Sequence, residues 1–269
     1  MHPRRLLFCL VALFALWLGG CVAGGDPRLP IPTTLVPAPT PATRLVVVLP
    51  GRGDSLDSLT RTGIAQLIQQ QWPDADVMLT GLTMPYYRQD RAIPRLHDEI
   101  MTPARGRYRQ VLLAGISLGG LGALLYDRAY PGEADGLLLI SPYLGDGAIH
   151  REIRDAGGLD TWQPGPVQPI GPSTFQRELW RYLKDWSNHP GRTRTTWLAY
   201  GDSERFRASI ELMSPRLPAD HVIMLPGHHN WTLWRSATRA LLERAGPPHP
   251  GPHAAGAASG SNGRHASSR

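Results

Sequence analysis

The residues Gln110-Val111-Leu112-Leu113-Ala114-Gly115-Ile116-Ser117-Leu118-Gly119-Gly120 decide how this chain folds. Val111 to Ala114 is an unbroken apolar run, too short for a helix and closed by glycine, which is how a strand buried on both faces reads. From Leu118 to Ala129 the pattern is helical. A strand that turns at once into a helix leaves room only for small side chains two positions either side of the turn. Gly115 and Gly119 meet that need, and Gly120 and Gly122 let the helix lie close to the sheet. Such a turn lifts the Ser117 hydroxyl to the carboxyl edge of the sheet. It also aims the helix N-terminus, beginning with the Leu118 amide, at negative charge developing beside the serine.

Working outward, short apolar runs alternate with helical stretches. The runs are 45–49, 76–79, 110–114, 136–140, 195–200 and 221–225, and the helical patterns are 56–71, 95–102, 118–129, 205–213 and 230–244. Six strands separated by helices predict an α/β fold with a mostly parallel sheet covered on both faces. The longest gap, 141–194, holds a Pro/Gly-rich piece at 163–172 and an amphipathic helix at 173–186, and reads as a cap-like insertion above the sheet edge. Its Tyr143, Trp162, Trp180, Tyr182 and Trp186 are candidates either for lining a pocket or for packing.

The two ends read differently. Arg4 and Arg5, an apolar run to Leu18 and then Gly19-Gly20 form a leader too short to span a bilayer. Leu18-Gly19-Gly20-Cys21 resembles the lipobox of bacterial lipoproteins, which implies cleavage before Cys21 and acylation of that residue, anchoring the mature chain to a cell-envelope membrane. Cys9 leaves with the leader, so no disulfide is expected. Residues 21–43 are rich in Pro, Gly and Thr and are expected to form an extended, solvated tether holding the domain off the membrane. Residues 246–269 contain almost no aliphatic side chains and are expected to be a disordered tail, its His249, His253 and His265 irregularly spaced and joined by no carboxylate or cysteine. The expected organisation is therefore leader 1–20, tether 21–43, one domain 44–245 and tail 246–269; about 200 residues suffice for one core.

The chain carries 28 Lys+Arg against 22 Asp+Glu, a net charge of +6, with Lys184 the only lysine. The arginines are scattered among acids and no run of five basic residues occurs, which argues against nucleic acid as a partner.

A serine nucleophile needs a base and an acid to orient it. The C-terminal third offers both at strand ends: Gly201-Asp202-Ser203-Glu204-Arg205-Phe206 after the run 195–200, and Pro226-Gly227-His228-His229-Asn230-Trp231 after 221–225. Together with the serine turn, these stretches resemble bacterial α/β-hydrolase esterases, which carry Gly-Gly-His-Asp-Trp-x-x-Trp after their last strand. The resemblance spans roughly residues 44–244. Aligning Trp231 and Trp234 with the two tryptophans puts His229 on the family's catalytic histidine, while His228 stands where that pattern has a second glycine and remains the alternative. For the acid, the resemblance points to Glu204, with Asp202 as its rival. After the first run, Leu49-Pro50-Gly51-Arg52-Gly53 corresponds to the family's oxyanion loop, which implies the Arg52 amide as partner of the Leu118 amide. The family's two leading antiparallel strands have no counterpart in the sequence, so a minimal sheet is expected.

Taken together, the resemblance implies a membrane-anchored serine hydrolase that cleaves an acyl ester through an acyl-enzyme, with neither metal nor organic cofactor. A small-molecule, lipid or sugar ester would serve as substrate. The alternatives are a thioesterase or acyltransferase using the same residues, and a non-catalytic envelope lipoprotein that keeps the fold as a binding scaffold.

Overall fold

The computed structural model describes residues 25–246. The leader, Cys21 and all but the first residue of the expected tail lie outside the described residues. One sheet of seven strands runs in the order β1-β3-β2-β4-β5-β6-β7. The strands are β1 Thr33–Val36, β2 Arg44–Leu49, β3 Ala75–Thr80, β4 Gln110–Ile116, β5 Gly136–Ile140, β6 Thr196–Gly201 and β7 Val222–Leu225. All neighbours pair in parallel except β1, which runs antiparallel to β3. The chain thus has the mostly parallel, helix-flanked sheet that its alternating pattern predicts. Every residue of β2, β4 and β5 is buried, as parallel strands covered on both faces require.

The helices are α1 Leu56–Arg61, α2 Ile64–Gln71, α3 Met84–Arg88, α4 Ala92–Arg95, α5 Thr102–Arg105, α6 Leu118–Ala129, α7 Gly147–Asp155, α8 Phe175–Asp185, α9 Pro190–Thr193, α10 Arg207–Met213 and α11 Trp231–Ala245. On one face, α2 and α11 cover Val46, Val48, Leu112, Ala114, Leu138 and Ile140. On the other, α6 and the helices of 84–105 and 147–185 cover Leu45, Val47, Leu49, Leu113 and Leu139. Alternation of side chains across each strand sends successive residues to opposite cores.

Two expected helices are interrupted. The 56–71 helix breaks at Gly63, whose φ of 70° is left-handed and ends α1 before α2 begins. Around 95–102, a π-helical turn, Leu96–Met101, joins α4 to α5, and the Thr102 amide reaches back five residues to the His97 carbonyl. Pro103 has no amide to offer in a regular α ladder at this point.

The N-terminal segment departs most from expectation. Residues 25–43 are not a solvated tether. Thr33–Val36 is the seventh strand, an antiparallel one on the sheet edge. Ahead of it, the Ile31 side chain is 5% exposed, its amide donates to Glu99 Oε2 at 2.7 Å, and Gly81 donates to the Pro32 carbonyl at 2.7 Å. Tyr86 donates its hydroxyl to the Pro30 carbonyl at 3.2 Å, and Arg95 Nη2 donates to the Arg28 carbonyl at 3.0 Å. Proline restricts φ before folding and so lowers the cost of ordering an extended backbone, and an edge strand needs donors on one side only, so a Pro-rich segment suits this place.

Within 141–194, Trp162, Trp180 and Trp186 are 1% exposed or less and belong to the core rather than to an open pocket. Tyr182 donates to Asp127 of α6, and Arg192 lies 3.1 Å from the same carboxylate. These contacts fasten α8 and α9 to α6. Among the described residues no helix is long and apolar enough to cross a membrane.

Replacing Ile31 by alanine is expected to cost about 2 kcal/mol in urea-induced unfolding, the cost of deleting buried aliphatic groups. A solvated tether would give a change within about 0.5 kcal/mol.

Candidate active site

The site is built on the abrupt passage from β4 to α6. Ser117 occupies φ 52°, ψ −109°, a conformation costing a non-glycine residue about 1–3 kcal/mol. Two bonds hold it there: Ser117 N donates to the Ile140 carbonyl and Tyr143 N to the Ser117 carbonyl, each at 2.9 Å. Close packing of α6 onto the sheet forces the turn. A Cβ on Gly115 would fall 2.7 Å from Gly120 Cα, one on Gly119 2.6 Å from the Leu49 carbonyl carbon, and one on Gly120 2.7 Å from Pro142 Cβ. No side chain fits at these positions. The Tyr87 hydroxyl occupies the space beside Gly122 that a side chain there would need.

Ser117 is 4% exposed, and its Oγ lies 2.9 Å from His229 Nε2. On the other side of the ring, Nδ1 lies 3.0 Å from Glu204 Oε2, whose side chain is fully buried. His229 is clamped edge-on between Phe206, with ring centroids 4.7 Å apart at 82°, and Trp234, 4.9 Å apart at 88°. The next residue, Asn230, caps α11 by accepting from the Thr232 and Leu233 amides, so the histidine precedes a fixed helix start. One imidazole therefore spans a serine from β4 and a carboxylate from the end of β6, and aromatic packing leaves it little freedom to turn.

No protein-family model and no curated protein sequence matches the chain. Solved structures do. A monoacylglycerol lipase from Paleococcus ferrophilus superposes with a TM-score of 0.52 at 15% identity, over 80% of this chain and 100% of that one. S-formylglutathione hydrolase (FrmB) from Staphylococcus aureus gives 0.53 at 12% identity, over 79% and 89%. Est1E from Butyrivibrio proteoclasticus gives 0.51 at 14% identity, over 79% and 93%. The chain has the α/β-hydrolase fold.

Within that α/β-hydrolase sheet, the rival residues occupy other places. His228 is exposed and its Nδ1 lies 3.0 Å from the Ser203 carbonyl. Asp202 Oδ1 accepts from the Gly227 amide at 3.1 Å and from the Ser203 hydroxyl at 2.8 Å. These two donors, the amide foremost, hold its carboxyl below the usual carboxylate range. Asp202 thereby ties the exit of β6 to that of β7. The structure brings Ser117, Glu204 and His229 into one chain of contacts and leaves Asp202 and His228 outside it.

The loop after β2 lies against the same cluster. A Cβ on Gly51 would stand 3.8 Å from the Ile116 carbonyl and 3.7 Å from Trp234. Arg52 follows, with its side chain exposed. Leu118 opens α6, where an amide has no acceptor within the helix. The loop is pinned by Asp54, whose Oδ1 accepts the Trp231 indole N–H at 3.2 Å across 177 residues of sequence. Burial pushes the Asp54 carboxyl above its usual range, against the pull of that bond. Cys21 lies outside the described residues.

In the sequence, Trp231 and Trp234 serve only as alignment marks; the tie to Asp54 and the clamp on His229 are not visible there. Nor is Ser141, which takes a left-handed φ of 47° straight after β5, because nothing in Ile-Ser-Pro signals that turn. Only the distances between remote residues reveal these roles.

The backbone at Ser117 yields a stability test. Ser117→Gly is expected to exceed Ser117→Ala in stability by about 1 kcal/mol by chemical denaturation, because glycine relieves the left-handed strain despite its entropic cost. An alanine variant as stable as the glycine variant would show that the turn is unstrained.

Proposed function

We propose that the protein is a serine hydrolase that cleaves acyl esters, with Ser117 as nucleophile, His229 as general base and Glu204 as the acid that orients it. The single observation carrying this reading is the chain of contacts from Ser117 Oγ through His229, 2.9 Å and 3.0 Å long. Protonation of Nε2 as the hydroxyl attacks makes the ring cationic, and a buried carboxylate on Nδ1 stabilises that cation and fixes its tautomer. The Leu118 and Arg52 amides then serve as donors to the tetrahedral oxyanion. Collapse expels the alcohol, which takes its proton from His229, and water deacylates the serine by the reverse path.

Two of the fold neighbours are, by their names, a lipase and a hydrolase, and we carry hydrolysis to this chain as part of the proposal. The Leu18-Gly19-Gly20-Cys21 sequence adds an anchor: cleavage before Cys21 and acylation of its thiol would attach the enzyme to a membrane of the cell envelope. Loss of Arg4 and Arg5 with the leader leaves 26 basic and 22 acidic residues, so the mature chain carries +4. A thioester or acyl-transfer substrate would use the same residues. A binding scaffold without chemistry has no need of a strained serine held against a clamped histidine.

Ser117→Ala is expected to abolish turnover of p-nitrophenyl butyrate while leaving the circular dichroism spectrum unchanged; retained turnover would refute the assignment. In the same assay, His229→Ala is expected to lose at least ~10³-fold in kcat and His228→Ala less than ~3-fold. Glu204→Gln is expected to fall ~10²-fold or more, with Asp202→Asn close to wild type. Equal losses within either pair would contradict the roles assigned to His229 and Glu204.

A further inference from the structure

The folded N-terminal arm fixes where the chain leaves the domain. Gly25 donates its amide to Thr83 Oγ1 at 3.2 Å and sits so tightly on Tyr86 that a Cβ there would lie 2.8 Å from the ring. Thr83 is three residues beyond the end of β3. Because β3 and β4 are both parallel to β2, this is the same carboxyl edge from which Ser117 projects. Only β2 separates the two strands, a lateral step of about 10 Å. Tyr86 holds the arm, and its neighbour Tyr87 packs on Gly122, five residues after the serine. Arm and serine helix are thus joined through α3.

Cys21 precedes Gly25 by four residues, and four fully extended residues reach about 14 Å at most. A domain of this size is about 45 Å across, taking its radius of gyration as about 17 Å. An acyl group on Cys21 therefore cannot reach a membrane lying against the opposite edge of the sheet, where β4 begins. A tether that stayed unfolded to Thr43 would have allowed any orientation; the ordered arm excludes those that put the opposite edge on the membrane. Leu29 of the arm, whose carbonyl lies 3.4 Å from the Tyr86 hydroxyl, is 60% exposed.

We propose that the arm holds the Ser117 edge of the sheet toward the membrane that carries Cys21, so that the substrate is an ester of a lipid resident in that membrane. This rests on the proposed acylation of Cys21 and on the proposed role of Ser117. The bond cleaved is the lipid's acyl C–O bond, with water as co-reactant, releasing a fatty acid and an alcohol into the same leaflet.

The mature chain has no native cysteine other than Cys21, so single dyes can be placed by Arg52→Cys, at the serine edge, and Arg107→Cys, at the opposite edge. Both variants would be reconstituted in phosphatidylcholine vesicles containing headgroup-labelled acceptor lipid. Energy transfer from position 52 is expected to exceed that from 107 several-fold; equal or reversed transfer overturns the orientation. Intact-mass measurement of the same protein separates the causes. An unacylated Cys21 removes the anchor and the proposal with it, whereas an acylated Cys21 with equal transfer refutes the orientation alone. In parallel, a leaderless Cys21→Ser protein is expected to match wild type on p-nitrophenyl butyrate and to lose at least ~10-fold on a fluorogenic diacylglycerol held in the vesicles. Equal rates on the vesicle-held ester overturn the substrate assignment. Loss of both activities in wild type would instead refute the role of Ser117.

Discussion

The rest of the structure depends on the approach of α6 to the sheet. Gly119 lies so near the Leu49 carbonyl, and Gly115 so near Gly120, that no Cβ is tolerated at either position, and the chain can pass from β4 into α6 only by placing Ser117 in a left-handed conformation. The cost of that turn is local, and burial of β2, β4 and β5 on both faces offsets it many times over. Everything that gathers at the carboxyl edge is referred to this fixed point: the loop after β2, the carboxylate after β6 and the histidine after β7 all converge on one hydroxyl.

Convergence alone would leave the histidine free to turn, and aromatic packing removes that freedom. Phe206 and Trp234 meet the imidazole edge-on from two elements, and Trp231 holds the Asp54 loop to the helix that carries Trp234. The same tryptophan pair thus positions His229 and the loop proposed to supply an oxyanion donor. Placing a site on rigid strand ends and locking its side chains by a second layer of contacts is how a fold keeps a reacting geometry without rearrangement.

Much of this was legible in the sequence because it is local. The buried parallel strands announce themselves as unbroken apolar runs, and α6 begins and ends at the residues its pattern marks. Ser117, Glu204 and His229 stand within a few residues of strand ends, where the α/β-hydrolase resemblance looks for them. The N-terminal arm was not legible. Thr-Thr-Leu-Val is four residues long among prolines, and it becomes a strand only because β3 offers an unpaired edge. Nor could sequence distinguish Asp202 from Glu204 by chemistry, since both are carboxylates after β6. Asp202 turns back to the Gly227 amide while Glu204 is buried against His229, a choice made by the path of the chain between Gly201 and Phe206.

Activation of Ser117 as a nucleophile by His229 and Glu204 is the proposal on which the chemistry rests. It is tested most directly by treating the purified protein with a fluorophosphonate and locating the adduct by tandem mass spectrometry. One phosphonyl group is expected, on Ser117, with no adduct in a folded His229→Ala variant under the same conditions. An unlabelled Ser117 in correctly folded protein, or equal labelling without the histidine, would contradict it.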